Sequence, residues 1–169
     1  GYEDGAAYRP ATMPSQLDII RRHVEDAIAR GGRAVVGGPD AIDDRYVWPT
    51  ILTHVPEDSA AVTEETFGPV LVVNPVASME EAVERTNATS YGLAGAVFGR
   101  RNAEQIARDI RSGMTSVNSV ISFAAVPALP FGGIGESGFG RIHGADGLRE
   151  FTYAKSVTVQ RMKPPLALT

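Results

Sequence analysis

Cysteine is absent from the 169 residues. The chain therefore carries no disulfide, no thiolate metal ligand and no cysteine nucleophile. Long apolar runs are missing too: none reaches the about 20 residues that a membrane-spanning helix needs. The first residues lack the basic-then-apolar order of a secretion signal, so a cytoplasmic setting is expected. Nor is there an excess of positive charge. Sixteen basic residues against 20 acidic ones give −4, with the basic ones scattered, which argues against a nucleic-acid footprint or a membrane partner. The three histidines, His23, His54 and His143, show no metal-ligand spacing, so no metal is expected. His23, among polar neighbours on a helix, reads as a solvated side chain.

Glycine is plentiful instead, at 18 residues, and seven of these fall between Gly132 and Gly147. Such a density is costly in backbone entropy and implies a compact loop with positive φ or close approach to another segment. Within it, Gly133-Ile134-Gly135-Glu136-Ser137-Gly138 matches a dinucleotide-binding string. It follows Pro127-Ala128-Leu129-Pro130-Phe131 rather than a β-branched strand, so it reads as a packing loop and not as a phosphate cradle.

The elements follow from periodicity and punctuation. Leu17, Ile20, Val24 and Ile28 form one apolar stripe of a helix that Ser15 is expected to cap and Gly31-Gly32 to end. Residues 34–36 and 46–52 read as strands, the second at an edge or irregular position because of Pro49. From Val70 the pattern turns regular. Strands at 70–73, 93–98 and 114–117 alternate with helices, the first capped by Ser78 with Glu81 three residues on. This order predicts a parallel α/β arrangement with right-handed crossovers. Asn118 ends the third of these strands, where an amide can hold a loop or touch a substrate. The connection 118–141 is long enough to suggest a functional loop. A final strand is expected over Ser156–Arg161, dry on one face and wet on the other, and a loose tail from 162 to 169.

Ahead of the regular part stands Glu64-Glu65-Thr66-Phe67-Gly68-Pro69-Val70. A carboxylate and an aromatic at the mouth of a strand can address a single small molecule, the one through hydroxyls and the other through a flat ring. The same residues also fit an acidic surface loop with Phe67 tucked into the core. Phe123, Phe131 and Phe139 can line an apolar pocket or pack the core, with packing favoured for Phe139. No nucleophile–base pair, metal cage or phosphate loop is complete. On its residues alone the chain supplies part of a site, or only a binding surface.

Five stretches occur in a telling order: the Glu64–Val70 motif, Asn87 through Tyr91-Gly92-Leu93, Gly113 through Val117-Asn118, the Pro130–Gly140 run, and Lys155-Ser156-Val157. Together they resemble the C-terminal part of the NAD(P)-dependent aldehyde dehydrogenase superfamily. The resemblance implies an α/β fold: a partial catalytic domain over 15–155 with a parallel sheet and flanking helices, entered by residues 1–14. It implies that 156–161 is an oligomerisation strand of a homo-oligomer. It further implies that Glu65 accepts hydrogen bonds from the nicotinamide ribose, that Phe67 packs beside the nicotinamide ring of NAD or NADP, and that Phe123 and Phe131 line a substrate tunnel for a small-molecule aldehyde. In such enzymes the nucleophilic cysteine, the general-base glutamate and the cofactor domain lie upstream of the matched region. The expectation is a fragment of an aldehyde-oxidising enzyme, inactive alone, whose partner is the N-terminal part of the same enzyme. The alternative is a non-catalytic interaction module derived from that fold.

Overall fold

The computed structural model describes residues 9–162. The expected tail, apart from Met162, and most of the entering segment lie outside these residues. The helix α1, Pro14–Ala29, opens with a proline in its first turn, where the missing N–H is unneeded, rather than with a Ser15 cap. Leu17, Ile20, Val24 and Ala27 form its buried face. Its end is a Schellman arrangement: the Gly31 and Gly32 amides donate to the Ile28 and Ala27 carbonyls, with Gly31 at φ +103°.

Behind α1 lies a three-stranded sheet in the order β1 (Arg33–Val36), β2 (Thr50–Thr53), β3 (Val70–Val73). The first pair is antiparallel and the second parallel. The short helix α2, Ala60–Thr63, lies in the crossover between β2 and β3. Thr50 and Leu52 point inward and are buried. Of the two positions that Pro49 suggests, the irregular one is found: β2 itself is the centre of this sheet and starts after the proline. The proline precedes the ladder and removes no bond from it.

The helix α3, Met79–Asn87, follows. Ser78 caps it, its Oγ accepting from the Glu81 amide at 3.1 Å while the Glu81 carboxylate accepts from the Ala77 amide at 2.6 Å. Arg85 binds Glu81 at 2.5 Å and Glu57 at 2.6 Å, tying α3 to the loop after β2. Next come β4 (Tyr91–Gly92), β5 (Ala94–Val97), α4 (Ala103–Asp109) and β6 (Met114–Val117). Strands β5 and β6 pair in parallel around α4. The Asn87 side chain donates to the Asp109 carbonyl and accepts from the Arg111 amide, joining the ends of α3 and α4.

The chain is mixed α/β with parallel sheet pieces. The three strands at 70–73, 94–97 and 114–117 do not share one sheet: β3 pairs with β2, and β5 with β6. Their alternation with helices is right, but spacing along the chain cannot say which strands are neighbours. The glycine run makes β7 (Ile134–Gly135), which pairs antiparallel with β4, and is followed by α5, Gly144–Arg149. Residues 156–161 form no strand, since no described segment pairs with them.

The core is concentrated early. Leu17, Ile20, Val24, Ala27, Ile42, Val47, Leu52 and Val55 form one cluster between α1 and the first sheet. Leu71 and Val73, on the opposite face of β3, are exposed, as are Phe98, Leu148 and Phe151.

Candidate nicotinamide loop and aromatic cleft

The loop between α2 and β3 is held from below by α1. Arg22 and Glu64 form a two-pronged pair, Nη1 to Oε1 at 3.1 Å and Nη2 to Oε2 at 2.6 Å. The guanidinium hydrogen bonds hold the Glu64 carboxyl at about 2, well below its ordinary range, and raise the Arg22 pKa in return. His23 is wholly buried, with Nδ1 3.0 Å from the Thr66 hydroxyl and Nε2 3.3 Å from the Glu64 carboxylate. The Gln16 side-chain amide donates to the Thr66 carbonyl at 2.7 Å. His23 is therefore a packed, partnered residue and not a solvated one. Its position was legible: it stands three residues after Ile20 and four before Ala27, at the margin of the buried stripe. The polar neighbours in sequence hid it.

Glu65 and Phe67 are presented differently. Phe67 has φ +45°, a left-handed conformation costly for a bulky residue, and the residue is 75 % exposed. It is not tucked into the core. With Gln16, Ile20, Val47 and the 9–13 segment it borders a cleft of about 390 Å³. Glu65 is exposed and has no hydrogen-bond or ion-pair partner among the described residues. It faces a second hollow of about 290 Å³ with Tyr91, Leu93, Arg111 and Ser137. The two side chains share a loop but open onto different hollows. Gly68 follows against α1: a Cβ there would meet Ile20 Cδ1 at 2.6 Å.

Phe131 borders a third hollow of about 380 Å³, which meets the Glu65 hollow across Leu93 and Ser137. Its backbone is fixed by paired hydrogen bonds with Ile142 at 2.7 and 2.8 Å. Its ring lies 6.1 Å from Phe123 and 5.7 Å from His143, both tilted. Phe123, 8 % exposed, packs underneath and does not reach that hollow. Phe139 is fully exposed, contrary to its favoured core role, because a turn bracketed by Gly138 and Gly140, both at positive φ, turns it outward, where it borders the same hollow as Phe131. Asn118 holds a loop: its side-chain amide exchanges two 2.9 Å hydrogen bonds with the Gly99 backbone.

The glycine run is a packing device. A Cβ on Gly113 would come 1.8 Å from the Gly132 carbonyl oxygen, and one on Gly133 would strike Ser137. The Ser137 hydroxyl accepts from the Gly92 amide, the Glu136 amide donates to the Ser90 carbonyl, and Arg141 donates to the carbonyls of Gly133 and Gly140. The string does not open a helix: β7 lies within it, and α5 begins only at Gly144. Among the described residues no group of three His, Cys, Asp or Glu side chains could hold a metal, and no helix is long and apolar enough to cross a membrane.

The family model described as "Aldehyde dehydrogenase family" matches residues 2–157. A Mycobacterium tuberculosis protein, provisionally named a succinate-semialdehyde dehydrogenase using NADP(+), is 39% identical over 163 residues, covering 91% of this chain and 31% of its own length. A 4,4'-diapolycopene aldehyde oxidase from Methylomonas sp is 38% identical over 156 residues, covering 91% of this chain and 29% of its own. A crystal structure of an NAD-dependent aldehyde dehydrogenase from Sinorhizobium meliloti superposes with a TM-score of 0.82 at 32% identity, covering 95% of this chain and 32% of that one. The chain thus spans about a third of the length of these relatives. With the model matching nearly its whole length, the chain belongs to the aldehyde dehydrogenase family.

Proposed function

We propose that this chain supplies the nicotinamide-side loop and part of the substrate tunnel of an enzyme that oxidises an aldehyde to a carboxylic acid with NAD(P). The observation that carries this reading is the Glu65–Phe67 loop. A carboxylate without a partner and an open aromatic face stand two residues apart on a segment whose intervening residue is fixed. Free carboxylate oxygens fit the two hydroxyls of a ribose, and an exposed phenyl face fits a planar ring. The relatives' names add support: one carries NADP(+) and another NAD in its description.

When bound, the nicotinamide accepts a hydride. The chain's own residues do the rest of what is assigned here. Glu65 orients the ribose, Phe67 limits the ring's tilt, and Phe131, in the neighbouring hollow, gives an aldehyde an apolar wall, while Phe123 backs it. Covalent attack on the aldehyde needs a nucleophile, and the family's cysteine is not among these residues. Alone, the chain does not turn over.

Nicotinamide mononucleotide titrated into the isotope-labelled chain should shift the Glu65, Phe67 and Gly68 amide resonances. Glu65→Ala should weaken that binding about tenfold or more, the worth of charge-assisted hydrogen bonds. Shifts confined to other regions would overturn the assignment. Aldehyde-dependent NAD(P)H production by the purified chain would overturn its inactivity.

A further inference from the structure

The polar contacts beneath the loop are alternate in register. Residues 64 and 66 are gripped by α1, whereas 65 and 67 are not. Glu64 is in extended backbone, φ −115° and ψ 158°, so successive side chains leave on opposite sides. Thr66 is held twice, by its carbonyl through Gln16 and by its hydroxyl against His23. The next residue, Phe67, is in a left-handed conformation that an unsupported bulky residue leaves readily. Such strain persists where the surroundings over-determine it. Here the surroundings are a fixed set: the two-pronged Arg22–Glu64 pair, the doubly held Thr66 and the Gly68 contact with Ile20. The buried imidazole is the member that apolar packing would not require. The fully buried ring has Nε2 3.0 Å from Arg22 Nη2 and 3.3 Å from Glu64, and Nδ1 3.0 Å from the Thr66 hydroxyl, so it ties the Arg22–Glu64 pair to Thr66, whereas a leucine in its place would tie neither.

We propose that Gln16, Arg22 and His23 of α1 act as positioning residues, a latch on Glu64 and Thr66 that forces Glu65 outward and keeps Phe67 in its strained, ring-presenting conformation. The consequence for cofactor binding rests on the nicotinamide reading; the conformational claim does not. The latch acts through the loop and touches no reacting atom. Its effect is on the affinity for the nicotinamide half of the cofactor.

The test uses the whole chain with Thr66→Val, which keeps the shape of the side chain and removes the hydroxyl, and Thr66→Ser, which restores it. Gln16→Leu removes the second grip at a partly exposed site and serves if Thr66→Val does not fold. Amide nitrogen relaxation at 65–68 should show order parameters of about 0.85 in the native chain and in Thr66→Ser. These should fall below about 0.6 in Thr66→Val and Gln16→Leu, with β2 unchanged. Nicotinamide mononucleotide should bind Thr66→Val about fivefold more weakly, the ratio for one hydrogen bond, and Thr66→Ser as the native chain. Native order in both Thr66→Val and Gln16→Leu overturns the latch. A disordered loop with native nucleotide affinity overturns its positioning role. A native chain that does not bind the mononucleotide sinks the nicotinamide reading, and the order parameters then still decide the latch.

Discussion

The halves of the molecule before and after α3 are held together by different means. Residues 14–73 pack one helix against a three-stranded sheet over a cluster of eight buried apolar residues. Residues 90–153 bury few large side chains, Met114 and Phe123 among them. Backbone hydrogen bonds and glycine contacts dominate instead, with Gly92, Gly113, Gly132 and Gly133 pressed against one another's strands and turns. The first half has the makings of a core of its own. The second is a stitched layer whose apolar residues, such as Leu148 and Phe151, face outward. Burial resists change in proportion to volume lost, whereas close backbone approach resists any added atom. The two halves should therefore fail in opposite ways.

The largest effect should come from Leu52→Ala. Leu52 is fully buried at the centre of the first sheet, and truncation there costs about 3 kcal/mol through lost transfer energy and the cavity left behind. Urea unfolding should show this loss in probes within 14–73. If the resonances of 90–153 melt together with those of 14–73 in the native chain and shift down with them in the variant, the halves are one cooperative unit and the distinction fails.

Gly113→Ala is the complementary change, one that adds a single methyl. With the Gly132 carbonyl oxygen 1.8 Å from the new Cβ, backbone must move. A cost of about 2 kcal/mol is expected, as for overpacking elsewhere. Amide shifts should spread through 90–92 and 132–137 and leave α1 untouched. A neutral Gly113→Ala would mean that the stitched layer is loose. Gly99→Ala, whose Cβ would make only an ordinary 3.6 Å contact with Ala103, is the control for crowding.

How much was readable followed the same division. The α1 stripe, the Gly31-Gly32 stop and the Ser78–Glu81 cap are local signals, and each forms where its pattern stands. Strand partnership is not local. Nothing in Val70–Val73 says that its neighbour is Thr50–Thr53, and so the expected single parallel series divides into two ladders. The glycine run announced close approach, but only the fold shows that Gly113 and Ser90–Gly92 are what it approaches. At the loop, Glu65 and Phe67 were visible because a carboxylate and an aromatic before a strand suggest chemistry. Their supports were hidden, since His23 and Thr66 lie 43 positions apart. Phe123 and Phe131 were expected to line one tunnel; the rings are 6.1 Å apart, and of the two Phe131 borders the hollow while Phe123 packs behind it.

The smallest effect concerns acid, and it separates the halves by charge rather than by volume. The Arg22 guanidinium holds the Glu64 carboxyl at about 2 in the folded chain, against about 4.5 for the free group. Its lowered folded pKa means that the pair's contribution is complete above the unfolded value and is lost as pH falls from about 4.5 towards 2. The two groups are half exposed, with 53% and 49% of their side-chain surfaces accessible, so salt screens the pair and its share is modest. Asp26, whose carboxylate accepts from the Ser59 hydroxyl and the Ala60 amide, is also held low and adds to the same trend. Glu64→Gln should flatten the acid limb of stability between those pH values, measured at low salt, while Asp26 keeps the remainder. It should do so for α1 and the first sheet and leave the acid response of 90–153 as it was. An acid limb of unchanged steepness in Glu64→Gln would show that the Arg22 contact forms without coupling to folding, and the loop's anchorage would then rest on Thr66 alone.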